Sequence, residues 1–228
     1  MLKSILRAAV AAVLFAAAAG FSVSPALAQT DQAKLISASE VSLSNFLRDP
    51  EMGWLQQNLH RAKALLIAPE VVKAGFIFGG SGGRALLVAR DPKSGKWLGP
   101  SFYNMATASV GFQAGVSVSE TITLVMTDKG FNSLLATSVK FGADASVAAG
   151  PVGAGAKSDI VADLIAFSRA KGIYGGLNLD GTVVTSADEW NQAFFGKRVL
   201  PPDILVRGTA TNTQADRLLA AVTKATAK

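Results

Sequence analysis

The chain has no cysteine and a single histidine, His60, among its 228 residues. Without thiols there is no disulfide framework, no lipid-modified cysteine and no cysteine nucleophile. A zinc or copper site would have to be built around one imidazole. A histidine-based triad could draw only on His60, and no G-x-S-x-G elbow occurs. Charged residues make up 17% of the chain. They form neither a dense Lys/Arg cluster nor the basic helix face of a nucleic-acid binder. No internal repeat is present. The apolar run over residues 8–21 is shorter than the roughly 20 residues a membrane-spanning helix needs.

That run instead has the form of an export signal. Lys3 and Arg7 precede it, and Ala26-Leu27-Ala28 follows with the A-x-A cleavage pattern. Residues 1–28 are therefore expected to be a signal peptide cleaved after Ala28, which sends residues 29–228 to the periplasm or the exterior; an uncleaved anchor is the alternative. Cleavage removes two cations and takes the formal charge from +6 to +4, with 20 Lys and Arg against 16 Asp and Glu. A mild positive excess suits an anionic surface better than nucleic acid. About 200 residues suffice for one well-buried core.

What the sequence has in quantity is glycine, 22 residues, set among short apolar runs that have the length of strands. Residues 75–78 and 85–89 flank Gly79-Gly80-Ser81-Gly82-Gly83, which predicts a hairpin turning on the glycines. Asp91-Pro92-Lys93-Ser94-Gly95-Lys96 predicts a second reversal, so that three consecutive strands run antiparallel. Gly80-Ser81-Gly82-Gly83-Arg84-Ala85 also satisfies the dinucleotide fingerprint G-x-G-x-x-G/A. That chemistry requires a helix behind the glycines and then a parallel strand, whereas the chain reaches Asp91-Pro92 within a few residues.

Helical spacing places Ile36, Leu43 and Leu47 on one face of a helix over 31–47, flanked by Leu35 and Phe46. Asp49-Pro50 starts a second helix, with Leu55, Leu59, Ala62 and Leu66 on its apolar face. Strands are expected at 109–119 and, rich in β-branched residues, at 120–127; Asp128 then caps a short helix over 129–135. Residues 138–149 alternate weakly and lead into the small-residue tract 148–156, which reads as a bent strand or as a linker. Residues 160–168 fit strand or helix. Asp180-Gly181 fits a type I′ turn and is expected to join strands at 172–179 and 182–185. Asp188 is expected to cap a helix that runs through Phe195 and is closed by Gly196, and a last helix starts near Thr213 and buries Leu218, Leu219 and Val222.

Several ordered blocks carry a family resemblance: Ala62-Lys63-Ala64 with residues 65–69, Val71-Val72-Lys73-Ala74-Gly75-Phe76 and Phe78-Gly79-Gly80. Further on come residues 100–103, 108–115, Val125-Met126-Thr127, Ser168-Arg169-Ala170-Lys171-Gly172 and Tyr174-Gly175-Gly176. From about Leu35 to Val184 the chain resembles the SYLF domain, also called the Ysc84 domain. The resemblance implies strand for residues 160–168. The expected fold is α+β: a curved, mainly antiparallel sheet or barrel-like sandwich packed with N-terminal and C-terminal helices. The mature chain is then a single domain, 29–228, with a helical extension from about 188 that covers one end or edge of the sheet.

The resemblance implies a non-enzymatic binding module with affinity for membrane lipid, phosphoinositides in eukaryotic relatives, and actin in some. For an exported chain the transferable part is recognition of anionic phospholipid headgroups, with no cofactor. Lys and Arg beside glycine-rich turns can hold phosphate together with backbone N–H groups. Lys73 and Arg84 lead the candidates, followed by Arg61 and Lys63, then Lys96 and Lys171. Arg84 departs from the acidic or small residue expected after the glycines. The N-terminal helix is too balanced in charge for a strong membrane-surface helix and is expected to pack on the sheet. Two other classes stand beside this reading: an envelope hydrolase using Ser, Asp and Lys, and a scaffold with a protein partner. Asp159 with Asp163 would be an acid/base pair or two structural carboxylates, and Ser168 with Lys171 would form a dyad only if one face carried both.

Overall fold

The computed structural model describes residues 30–75, 78–110, 115–153, 160–170 and 179–227. Helix α1 (Asp31–Arg48) forms where the apolar spacing predicts it. It buries Ile36, Leu43 and Phe46, with Ser39 and Ser42 between them, and carries Asp31 in its first turn and Arg48 in its last, which suits the helix dipole. Phe46, not Leu47, completes the buried stripe. Asp49 accepts from the Glu51 N–H and opens a 3-10 turn, Pro50–Met52. Helix α2 (Gly53–Asn58) and a second 3-10 turn, Leu59–Arg61, complete this segment.

Eight strands are described: β1 (Ala64–Gly75), β2 (Phe78–Arg90), β3 (Trp97–Val110), β4 (Gly115–Val125), β5 (Ser138–Lys140), β6 (Val147–Ala149), β7 (Leu164–Ala170) and β8 (Val183–Ser186). They join in one curled sheet of order β5-β8-β3-β2-β1-β4-β7-β6, antiparallel except where β6 runs alongside β7. Helices α3 (Asp128–Leu134), α4 (Asp188–Phe195), α5 (Pro201–Leu205) and α6 (Asp216–Thr226) complete the α+β fold.

The basal half of the sheet is buried on both faces. Leu65, Ile67, Leu86, Val88, Ile122 and Leu124 point to α1, α2 and α6, while Ala64, Leu66, Ala85, Leu87 and Val125 point to the opposite core with Leu134, Phe141, Ile204 and Leu205. This explains why residues 64–68 are apolar without alternation. The C-terminal helices cover faces more than an edge: Trp97 Nε1 donates to Thr226 Oγ1 at 3.0 Å, which ties α6 to the start of β3.

Several expectations are corrected. The glycines over 79–83 do not form the turn; they lie inside β2, paired with Gly75 through Val71. None of them has positive φ. Glycine is needed there for close approach at a β-bulge between Ile67 and Glu70, where a Cβ on Gly83 would fall 2.3 Å from the Glu70 carbonyl oxygen. No helix follows Gly83, so the nucleotide alternative fails. The second helix ends at Arg61, and Leu66 belongs to β1, facing the core opposite to Leu55 and Leu59. The expected break between residues 119 and 120 falls inside the single strand β4. The α3 cap is Thr127, one residue earlier than expected, its hydroxyl accepting from the Gly130 N–H. Within 138–149 two short strands form, and the small residues 150–153 that follow are not strand. Residues 154–159 and 171–178, with Asp159 and Lys171 among them, lie outside the described residues. The reversal at Asp91–Lys96 holds. Of the strand expected over 160–168, residues 164–168 are strand and 160–163 are not. The helix through Phe195 forms, with Gly196 left-handed behind it at φ 68°, but Asp188 is its first residue and the N-cap is Ala187.

Candidate functional site

Beyond the bulge, β3, β2, β1 and β4 continue as a four-stranded sheet whose side chains are mostly exposed or half-buried. Register assigns its two faces. On one, Thr107, Ser81, Lys73 and Ser117 stand in a row across the four strands. Thr107 Oγ1 shares a hydrogen bond of 2.7 Å with Thr182 Oγ1. Lys73 is exposed, and no carboxylate among the described residues lies within ion-pairing distance of it. Among the described residues this row offers one uncompensated cation and three hydroxyls.

The other face carries the rows Ala106, Gly82, Val72, Val118 and Ala108, Gly80, Ala74, Val116. A belt of paired polar groups separates these rows from the core. Arg84 sits opposite Glu70, donates to Asn104 Oδ1 at 2.7 Å and lies 3.9 Å from the Trp190 ring centroid. Arg169 approaches Asp49 at 3.2 Å and Glu120 at 3.6 Å, and Asn45 donates to Glu120 at 3.0 Å. A cleft of about 240 Å³ opens at the bulge between Pro69, Glu70, Glu120 and Arg169.

The candidate cations are therefore dispersed. Lys73 and Arg84 project from opposite faces, and Arg84 is already held by a carbonyl oxygen and an aromatic ring. Arg61, bonded to Asn58 at 2.9 Å, and Lys63, paired with Asp128 at 2.9 Å, lie at the basal end with Lys96 in the β2–β3 turn. At about 3.3 Å per residue along β1, some 30 Å separates them from Lys73. Lys171 lies outside the described residues. Sequence reasoning missed the hydroxyl row and the two exposed valines of β4, although the alternation Val116-Ser117-Val118-Ser119 carries the signal.

Asp163 has a structural setting. Thr127 Oγ1 donates to it at 2.5 Å, and Ser146 donates its N–H at 2.9 Å and its hydroxyl at 2.8 Å. These hydrogen bonds, the Thr127 hydroxyl foremost, pull its pKa down to about 2, and Lys129 adds a favourable charge. Ser168 is buried. Among the described residues no group of three His, Asp or Glu side chains is assembled for a metal.

Fold and site together define a domain of the α+β class, with a curled sheet whose free end presents two chemically different faces. Residues 106–225 match the family model described as Ysc84, Las17-binding protein actin regulator. The chain belongs to this family. It is 33% identical over 168 residues to Protein YSC84 of Saccharomyces cerevisiae, covering 71% of this chain and 36% of that protein. To LAS seventeen-binding protein 3 of the same species it is 34% identical over 145 residues, 60% of this chain and 31% of the relative. To the human SH3 domain-containing YSC84-like protein 1 it is 29% identical over 163 residues, 69% and 47%. The chain thus spans about a third to a half of these relatives' length, and the family match takes in the C-terminal helices.

Proposed function

We propose that this protein is a non-enzymatic module of the bacterial cell envelope that docks on anionic phospholipid, delivered to the periplasm or the exterior by cleavage after Ala28. The observation that carries this reading is the row Thr107, Ser81, Lys73 and Ser117 on the free half of the sheet, where a cation with no carboxylate partner among the described residues is flanked by hydroxyl donors. Phosphate oxygens accept from such donors, and an ammonium holds them as a point charge. Arg61, Lys63 and Lys96, at the far end, do not share this site. The test is flotation of the mature protein with phosphatidylcholine vesicles and with vesicles containing phosphatidylglycerol. A lysine at an anionic surface contributes about 1 kcal/mol, so Lys73→Glu should weaken binding to the anionic vesicles by about 2 kcal/mol, roughly thirtyfold. Arg61→Glu with Lys96→Glu should leave it within about threefold on the same scale. Equal binding by Lys73→Glu and the wild type refutes the assignment.

A protein partner is the second reading, and the names of the relatives favour it. Two of them are called LAS seventeen-binding protein 3, and the family description speaks of Las17 binding. On this reading the mature chain captures a protein and ignores vesicle composition.

A further inference from the structure

The second face of the free half-sheet has no part in headgroup recognition. It is aliphatic and uncharged: Val116 is 75% exposed, Val118 41% and Val72 38%, with Ala74, Ala106, Ala108, Gly80 and Gly82 around them. We propose that this face is an interfacial anchor, lying in the outermost hydrocarbon of a bilayer while Lys73 on the reverse face stays at headgroup level. The inference rests on the phospholipid reading above and adds to it the apolar half of the contact.

Four observations select the bilayer as occupant. First, the patch has two positions on each of four strands, which at about 4.8 Å between strands and 6.8 Å between like-facing residues gives about 260 Å². A stable dimer buries about 800 Å² per partner. Second, glycine and alanine hold five of the eight positions in the two rows, so the surface is smooth and lacks the pockets in which a protein partner seats its anchoring side chains. A bilayer requires no such complementarity. Third, charges stop at its border: the belt of Arg84, Glu70, Glu120 and Arg169 closes the patch on the basal side, and none of the eight positions is ionisable. Fourth, a lysine on the reverse face can extend its aliphatic stem and keep its ammonium in the polar layer. The fold also limits depth. Among the described residues, the outer edge of β3 beyond Ala106 and that of β4 before Ser119 carry no partner strand. Unpaired backbone groups are not tolerated in the hydrocarbon interior, so the contact is interfacial and reversible.

The absence of native cysteine allows a direct test. Mature protein carrying Val116→Cys or Ser117→Cys is labelled with the environment-sensitive dye NBD and mixed with phosphatidylcholine–phosphatidylglycerol vesicles. The probe at 116 should shift to the blue and be quenched by nitroxides on the acyl chains; the probe at 117, on the reverse face, should not. Val116→Asp with Val118→Asp should lower flotation by about tenfold or more, from the loss of two buried apolar side chains, and the loss should persist at high salt. Vesicle binding without acyl-chain quenching at 116, or with equal quenching at both positions, overturns the anchor and leaves the headgroup reading standing. Failure of the wild type to float with either vesicle removes both. A dimer in sedimentation that the two aspartates dissociate also overturns the anchor, because a second copy would then occupy the face.

Discussion

The β-bulge that separates the buried and free halves of the sheet makes Gly83→Ala a severe substitution for a residue half-exposed in a strand. A Cβ at this position would lie 2.3 Å from the Glu70 carbonyl oxygen and 3.3 Å from both Glu70 C and Val71 Cα. The obstacle is backbone, so no side chain can rotate away. Either the bulge opens or β1 and β2 separate locally by most of an ångström. Overpacking of this kind costs about 1–3 kcal/mol, and a rigid backbone partner places it at the upper end. The loss of glycine's freedom in the unfolded chain returns about 0.4–1 kcal/mol, which leaves a net loss of roughly 2 kcal/mol. For a domain of this size that is a fall in Tm of about 4–8 °C.

Gly82→Ala is the internal control. One position along the strand, its Cβ would meet only the Met105 carbonyl oxygen at 3.4 Å, an ordinary contact, so its stability should stay within about 0.5 kcal/mol of the wild type. Both variants would be unfolded in urea and by calorimetry. Equal stabilities for Gly83→Ala and Gly82→Ala would refute the argument that close approach, and not turn formation, explains glycine in this strand.

Two further substitutions test the supports of the core. Asp163→Asn turns an amide donor toward a Ser146 donor, which should cost about 2 kcal/mol at pH 7, the scale of a hydrogen bond to a charged group. Because the folded pKa of Asp163 is lowered to about 2 from an ordinary 3.8, the wild-type advantage should be full above pH 4, shrink as the pH falls toward 2 and vanish below it; urea titrations across that range check this. Asn191, fully buried, accepts from the Phe102 N–H at 2.9 Å where β3 runs past its pairing with β8. Asn191→Ala strands that N–H and should cost about 1–3 kcal/mol in denaturant unfolding.

Elements fixed by local chemistry are legible in the sequence: the amphipathic spacing of α1, the β-branched run at residues 121–125, the turn at Asp91–Lys96 and the left-handed Gly196. Elements fixed by contacts distant in sequence are not. The spacing of Leu55, Leu59, Ala62 and Leu66 is helical, yet Leu66 owes its place to a strand buried on both faces, where any apolar pattern fits. The glycines of β2 read as a turn because their sequence shows conformational freedom and hides the Glu70 carbonyl that demands their small size. The cations fail to converge for a related reason. Arg84 pairs with Glu70, three residues before Lys73 on β1, and an odd separation on a strand sends the two side chains to opposite faces. Register alone decides that, and register is a property of the folded sheet.

The division of the sheet into two halves bears directly on what can be measured. Below the bulge the strands are packed on both faces by large side chains, among them Leu65, Leu86 and Phe102 on one and Leu66, Leu87 and Tyr103 on the other. Stability resides there. Above it, Lys73, Val116, Ser117 and Val118 are exposed and contribute little to the core. Substitutions at these four positions should therefore leave the unfolding free energy within about 0.5 kcal/mol of the wild type, even where they abolish vesicle binding. That separation makes loss of binding interpretable as loss of the surface itself. If Val116→Asp unfolded the domain, the valines would belong to the core, and both the interfacial anchor and the free half-sheet on which it stands would have to be abandoned.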